Sequence, residues 1–127
     1  MKNKIALYVQ AVFYMFAGSY HFIDPDFYLP LIPDYIPFPD IVNTGSGVLE
    51  VLLGFFLLFA SSRKYAAWGI ILMLLAFIPS HVYFVQEGSC LENSLCTEPW
   101  VGWLRLVIIH PLLILWAWWA GYRYSPK

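Results

Sequence analysis

Long hydrophobic runs alternate along this chain with short charged or proline-rich segments. Four runs are long enough to be membrane-spanning helices, at residues 5–23, 41–62, 65–85 and 100–122. A helix rises about 1.5 Å per residue and the hydrocarbon core is about 30 Å thick, so about 20 residues span it. The pattern therefore predicts an all-α fold, in which residues 1–127 form one integral membrane domain, a bundle of four transmembrane helices.

The composition supports this interpretation. Hydrophobic residues make up 61% of the chain and charged residues 12%, whereas soluble domains carry about 25% charged residues. The formal net charge is −1, and no basic patch for nucleic acid is present in the sequence, so we expect no nucleic-acid partner. The first partner to expect is the lipid bilayer.

The basic residues predict the orientation. Six of them flank the predicted spans, at positions 2, 4, 63, 64, 123 and 127, while residues 24–40 and 86–99 contain acidic residues but no Lys or Arg. The positive-inside rule then places both termini in the cytoplasm and both of these loops outside, in a bacterial inner membrane. A cleaved signal peptide ending near Ala17-Gly18-Ser19 is the alternative, but Gln10, Tyr14 and the length of the first run favour a retained helix.

Both cysteines lie in the second outer loop. Five residues separate Cys90 from Cys96, and an oxidising compartment would join them. The chain-entropy model assigns about 2.4 kcal/mol to closing so short a loop. A redox-active pair is the alternative, although catalytic dithiols are usually spaced Cys-x-x-Cys. The sequence leaves both possibilities open.

The first outer loop is rich in proline and apolar residues. Residues 24–40 hold five of the nine prolines, interleaved with aromatic and aliphatic side chains. Asp24 can cap a short interfacial helix that begins at Pro25 and ends at Pro30. We expect the loop to be either a rigid connector at the membrane interface or a lid over the bundle. The lid residues would be Phe27, Tyr28, Tyr35 and Phe38.

Glu50 and Arg105 are charged residues inside otherwise apolar spans. Each would cost about 2.5–3.5 kcal/mol at the bilayer centre, so each needs a partner, a cavity or a ligand. Helical spacing places both in the outer half of the bundle, and we predict an ion pair between them. The pair would be a structural clamp or part of a ligand cavity. The candidate cavity residues are His21, Asn43, Ser46, Glu50, His81 and Arg105.

His110 is predicted to face away from this cavity. It lies five positions after Arg105, which corresponds to about 140° around an α-helix. Pro111 removes the hydrogen-bond partner of the Val107 carbonyl, so we expect His110 to help satisfy a kinked backbone rather than to serve chemistry. The sequence indicates no metal site and assigns no catalytic residue.

Three segments carry a family resemblance. They are GSYHFIDPDFYLPLIPDYIPFPDIVNTGSGVLEVLLGFFLL, RKYAAWGIILMLLAFIPSHVYF and WLRLVIIHPLLILWAW. Together they resemble the DoxX-like family of small integral membrane proteins, although His110 stands where many members have glutamine. The resemblance implies a four-helix membrane bundle in a quinone- or thiol-linked redox assembly, and distant animal relatives look like receptor-assembly chaperones.

Three function classes follow. The first is a redox-associated subunit whose cavity binds a quinone, with guanidinium and imidazole groups donating to the quinone oxygens. The second is a non-enzymatic chaperone that binds transmembrane helices of a partner, and the third is a lipid or small-molecule binding module. A haem between His21 and His81 is geometrically conceivable but has no supporting motif. Enzymatic activity and homo-oligomerisation are left open.

Overall fold

The computed structural model describes residues 3–126, which are helical apart from loops and one bridge between Cys90 and Cys96. Its α-helices are α1 (Ile5–Ile23), α2 (Pro25–Tyr28), α3 (Pro39–Phe56), α4 (Arg63–Ala76), α5 (Ile78–Gln86), α6 (Pro99–Leu104) and α7 (His110–Tyr124). A 3-10 turn covers Leu29–Leu31, and a π-helical turn, Arg105–Ile109, joins α6 to α7. The all-α prediction is confirmed, and so is the short helix after Asp24, although the Asp24 side chain makes no capping bond.

Two long helices have the length and composition of membrane spans. Within residues 3–126 these are Arg63–Gln86, in which α4 and α5 meet at a kink, and Pro99–Tyr124, which contains α6 and α7. Helices α1 and α3 carry more polar residues, such as Gln10, Asn43 and Glu50, and do not reach the same hydropathy. Those polar residues are buried in the protein interior.

Glycines bring α1 and α3 into close antiparallel contact. A Cβ atom at Gly18 would lie 2.6 Å from the carbonyl oxygen of Gly47, and one at Gly54 would lie 2.8 Å from that of Ala11. Only residues without a side chain allow two helix backbones to approach this closely. The small-residue faces of α1 and α3 therefore pack against each other within this protein.

Helices α4 and α7 form a second antiparallel pair. A Cβ atom at Gly121 would lie 2.6 Å from the Cβ of Ala67. Near the other end of the pair, the imidazole of His110 bonds the Leu74 carbonyl. The two pairs enclose the space in which the polar residues meet.

Arg63 closes the end of the bundle opposite the outer loops. Its side chain is only 2% exposed and donates to the carbonyls of Leu57 (2.8 Å), Leu58 (3.0 Å) and Tyr124 (2.9 Å). The Ser62 hydroxyl donates to the Phe56 carbonyl at 2.8 Å. These bonds satisfy carbonyls that have no partner at a helix end. This explains why α3 ends at Phe56, six residues before the predicted end of the second span.

Candidate functional site

A cavity of about 280 Å³ lies among α1, α3, α4, α5, α7 and the first outer loop. Its walls are mostly apolar, and its size is close to the lower end of small-molecule sites, roughly 300–1,000 Å³. The structure brings all six residues that the sequence nominated to this cavity: His21, Asn43, Ser46, Glu50, His81 and Arg105.

His21, Asn43 and Glu50 form a buried polar cluster. The Asn43 Nδ2 donates to the His21 carbonyl at 3.2 Å, which turns the Asn43 Oδ1 toward the His21 Nδ1, 2.7 Å away. On the other side of the ring, the His21 Nε2 lies 3.3 Å from the Glu50 Oε2. Both ring nitrogens of His21 have protein partners, so neither is free to ligate a haem iron.

The predicted ion pair between Glu50 and Arg105 is not formed. Glu50 contacts His21 instead, and the guanidinium carbon of Arg105 lies 4.9 Å from the centroid of the Phe84 ring. The reason is the packing of the helices. The close contact of α1 with α3 places His21 directly beside Glu50, whereas Arg105 reaches the cavity from the other helix pair.

His110 also lines the cavity, which contradicts the prediction from its spacing. Its backbone N–H bonds the Arg105 carbonyl, five residues earlier, as in a π-helix. Such a turn is wider than an α-helical turn, so His110 comes to lie about one turn beyond Arg105 on a similar face. Pro111 is the feature of the sequence that could have warned of this irregular helix, because prolines commonly accompany kinks and bulges in helices. π-Bulges occur often at functional sites.

The predicted backbone role of His110 is found at a different carbonyl. Its Nε2 donates to the Leu74 carbonyl, which belongs to the last turn of α4 near the kink at Pro79. The His110 ring lies 4.5 Å from the ring of His81, centroid to centroid. His110 thus joins the kinked helix to the cavity wall.

Among the described residues, three polar atoms of the cavity lining are buried without a hydrogen-bond partner. They are the Tyr14 hydroxyl, the Arg105 Nη1 and the Glu50 Oε2, which is in contact with His21 but not in hydrogen-bonding geometry. A buried polar group left unsatisfied costs about 1–3 kcal/mol, so such atoms usually bind water or a ligand. Tyr14 was missing from the sequence-based candidates, although it lies on the same helical stripe of α1 as His21. The amide of Gln10, buried one turn before Tyr14, also lacks a partner.

Tyr28 is the predicted lid residue that lines the cavity. Its ring stacks on that of His21, with centroids 3.7 Å apart and an angle of 16° between the planes. Burial, together with the nearby Glu50 charge, raises the pKa of Tyr28 to about 12. The Tyr28 hydroxyl therefore stays protonated at neutral pH and can donate to the Ala17 carbonyl, 3.4 Å away.

The other predicted lid residues have different roles. Phe27 packs with Leu31 and Phe84 beside the cavity, while Tyr35 and Phe38 are each 71% exposed and point away from it. Phe38 adopts a left-handed backbone conformation, with φ of 56°, immediately before Pro39 begins α3. Aliphatic and proline residues complete the roof instead, namely Leu31, Ile32, Pro33 and Ile36.

Cys90 and Cys96 form a disulfide bond in the second outer loop. The loop packs on the roof of the cavity, since Leu91 belongs to the same apolar cluster as Phe27, and the Ser94 hydroxyl donates to the Phe27 carbonyl. Neither cysteine lines the cavity. The disulfide is therefore placed to hold the roof in position.

Comparison with known proteins identifies a family but no activity. The model of the family described as Domain of unknown function (DUF8561) matches residues 10–121, so the chain belongs to that family. The match includes every residue that lines the cavity. No curated protein and no solved structure matches the chain significantly.

Proposed function

We propose that this member of the DUF8561 family is a DoxX-like, redox-associated integral membrane protein whose cavity binds the head group of a quinone. The observation that carries the proposal is the set of unpaired donors, the Arg105 Nη1 and the Tyr14 hydroxyl, buried at an otherwise mostly apolar cavity. A quinone offers two carbonyl oxygens as acceptors and a flat ring for the apolar walls. Among the described residues, neither donor is hydrogen-bonded to a protein acceptor.

The proposal includes a membrane topology of four spans. Large apolar side chains are exposed on the outer faces of α1, α3, α4 and α7, for example Phe16, Leu52, Leu72 and Leu115. Soluble monomers rarely expose so much contiguous apolar surface, whereas lipid would cover it. With both termini in the cytoplasm, the cavity and its roof lie in the outer half of the membrane.

The walls of the cavity provide contacts for each part of a quinone. Arg105 and the nearby imidazole of His81 can donate hydrogen bonds to one carbonyl oxygen, while Tyr14 can donate to another oxygen. Phe13 and Phe77 also line the cavity and give apolar surface for the ring. An isoprenoid tail would leave the cavity toward the lipid. These are the kinds of contact by which proteins position a quinone.

The exposed aromatic residues of the first outer loop favour a second candidate function. Tyr35 and Phe38 are too exposed to act as a lid and would suit contact with another membrane protein. That arrangement fits a non-enzymatic assembly factor. However, the small-residue faces that would recognise partner helices are occupied, because Gly18, Gly47 and Gly54 lie between α1 and α3.

The test is a binding experiment on protein purified in a mild detergent. Organic extraction should recover a quinone, and 1,4-naphthoquinone added to extracted protein should quench the tryptophan fluorescence saturably. Arg105→Met should weaken this binding about tenfold or more, because it removes a charged donor, a change of at least about 1.4 kcal/mol.

Arg123→Met is the matched control, since Arg123 stands beside Trp119 and outside the cavity. We expect it to bind naphthoquinone as the unmodified protein does. If no quinone is extracted and naphthoquinone does not bind, the proposal is wrong. Co-purification of a second membrane protein through Tyr35 and Phe38 would then support the assembly-factor function.

A further inference from the structure

Arg105 carries a permanent positive charge at the cavity. No carboxylate among the described residues forms an ion pair with it. Its guanidinium contacts the Phe84 ring, and its Nη1 has no hydrogen-bond partner. The carboxylate that also lines the cavity, Glu50, is in contact with His21. The charge of the cavity therefore depends on whether the Glu50–His21 pair is negative or neutral.

The charge of the Glu50–His21 pair depends on which nitrogen of His21 carries a proton, and Asn43 fixes the tautomer of His21. The Asn43 Nδ2 is engaged with the His21 carbonyl, so the Asn43 Oδ1 faces the His21 Nδ1. A carbonyl oxygen can only accept, so the Nδ1 must carry a proton. In neutral His21 the Nε2 would then be an acceptor facing the Glu50 Oε2, which is also an acceptor.

The Glu50 Oε2 has no hydrogen-bond partner among the described residues, and two acceptors 3.3 Å apart repel each other in a buried site unless one of them carries a proton. That proton makes the pair either an imidazolium with a carboxylate or a neutral imidazole with a carboxylic acid. Both forms have the same total charge of zero. The remaining titratable groups at the cavity, Tyr14, Tyr28, His81 and His110, are neutral in their ordinary forms at pH 7.

Adding the charges gives +1 from Arg105, −1 from the Glu50 carboxylate and +1 from the shared proton. We infer that the cavity has a net positive charge and selects quinones that carry one negative charge, such as those with an ionised hydroxyl group on the ring. This inference rests on the proposed function and narrows its ligand class. Charge-assisted bonds from a guanidinium to an anionic oxygen are roughly twice as strong as neutral ones.

Two probes of nearly the same shape test the inference. 1,4-Naphthoquinone is neutral, whereas 2-hydroxy-1,4-naphthoquinone is ionised at pH 7. We expect the unmodified protein to bind the hydroxylated probe about tenfold more tightly or better, equivalent to about 1.4 kcal/mol. Equal affinities would refute the charge inference and leave the quinone site standing, while binding of neither probe would refute the proposed function itself.

Two substitutions test the charge sum separately. Arg105→Met should abolish the preference for the anionic probe, and Arg105→Lys should retain part of it. Glu50→Gln should leave the preference unchanged within about twofold, because the Gln amide can donate to the His21 Nε2 and the total charge stays the same. A preference that rises about tenfold in Glu50→Gln would show that the carboxylate had balanced Arg105 without a shared proton, and would overturn the inference. Circular dichroism should first show that each variant is folded.

Discussion

Replacing Gly47 with alanine should push α1 away from α3 at the level of the His21–Glu50 pair. A Cβ atom at Gly47 would lie 2.8 Å from the His21 Cβ, 2.9 Å from the Gly18 carbonyl oxygen and 3.0 Å from the Phe22 ring. Two of these atoms belong to the backbone or to the base of a side chain, so neither can rotate away. The helices themselves must shift.

Gly45 provides a matched control on the same helix. A Cβ atom at Gly45 would meet no atom within 4 Å, so Gly45→Ala gains helix propensity, worth up to about 1 kcal/mol, without a clash. Gly47→Ala gains the same propensity but adds an overpacking cost of about 1–3 kcal/mol. The two variants should therefore differ by about 1–3 kcal/mol in the free energy of unfolding, with Gly45→Ala the more stable.

The assay is reversible unfolding of both variants in the same detergent, followed by tryptophan fluorescence and by far-UV circular dichroism. Gly47→Ala should also bind 2-hydroxy-1,4-naphthoquinone more weakly than Gly45→Ala does, because the displaced helix alters the cavity. If Gly47→Ala is as stable as Gly45→Ala, the close contact between α1 and α3 is wrong, and with it the pairing of Glu50 with His21.

Two further predictions concern the ends of the bundle. Arg63→Met should lower the free energy of unfolding by about 3 kcal/mol or more, because it leaves three carbonyls without their charged donor. The stability of Arg63→Lys should fall between those of Arg63→Met and the unmodified protein. If the denaturant midpoints of both variants equal that of the unmodified protein, the three hydrogen bonds do not contribute to stability. The Cys90→Ser, Cys96→Ser double variant should lose about 2 kcal/mol by the chain-entropy model, measured by the same unfolding assay, and should keep its affinity for naphthoquinone within about twofold. A large loss of affinity without a loss of stability would instead show that the disulfide positions the roof of the cavity more than it stabilises the fold.

The composition of the cavity was predictable from the sequence because it depends on helical period and depth. His21, Glu50 and Arg105 lie in apolar runs at positions that a helix brings to one level, and polar side chains in such runs are expected to face the interior. That these residues share one cavity can be predicted without knowing which helices are neighbours. The same reasoning could not choose the partner of Glu50, because that choice depends on how closely each pair of helices approaches.

The positions of His110 and of the loop aromatics show a second limit. The prediction for His110 assumed a regular α-helix, and the π-helical turn at Arg105–Ile109 changed the face on which it lies. Tyr35 and Phe38 were assigned to the lid from their composition alone, although the prolines around them and the left-handed backbone at Phe38 turn them outward. Local backbone irregularities are set by surrounding packing, which a periodic pattern does not describe.

The sequence by itself determined that the chain is helical, that its long helices are apolar on their outer faces and that a few polar residues share one level inside them. These properties follow from the order of side chains and the fixed geometry of the α-helix. Only the tertiary structure decided that Glu50 pairs with His21, that Arg105 lies over Phe84 and that Tyr28 stacks on the site. The physical reason is that these contacts depend on distances between helices, and those distances are set where glycines such as Gly18 and Gly47 allow two backbones to meet.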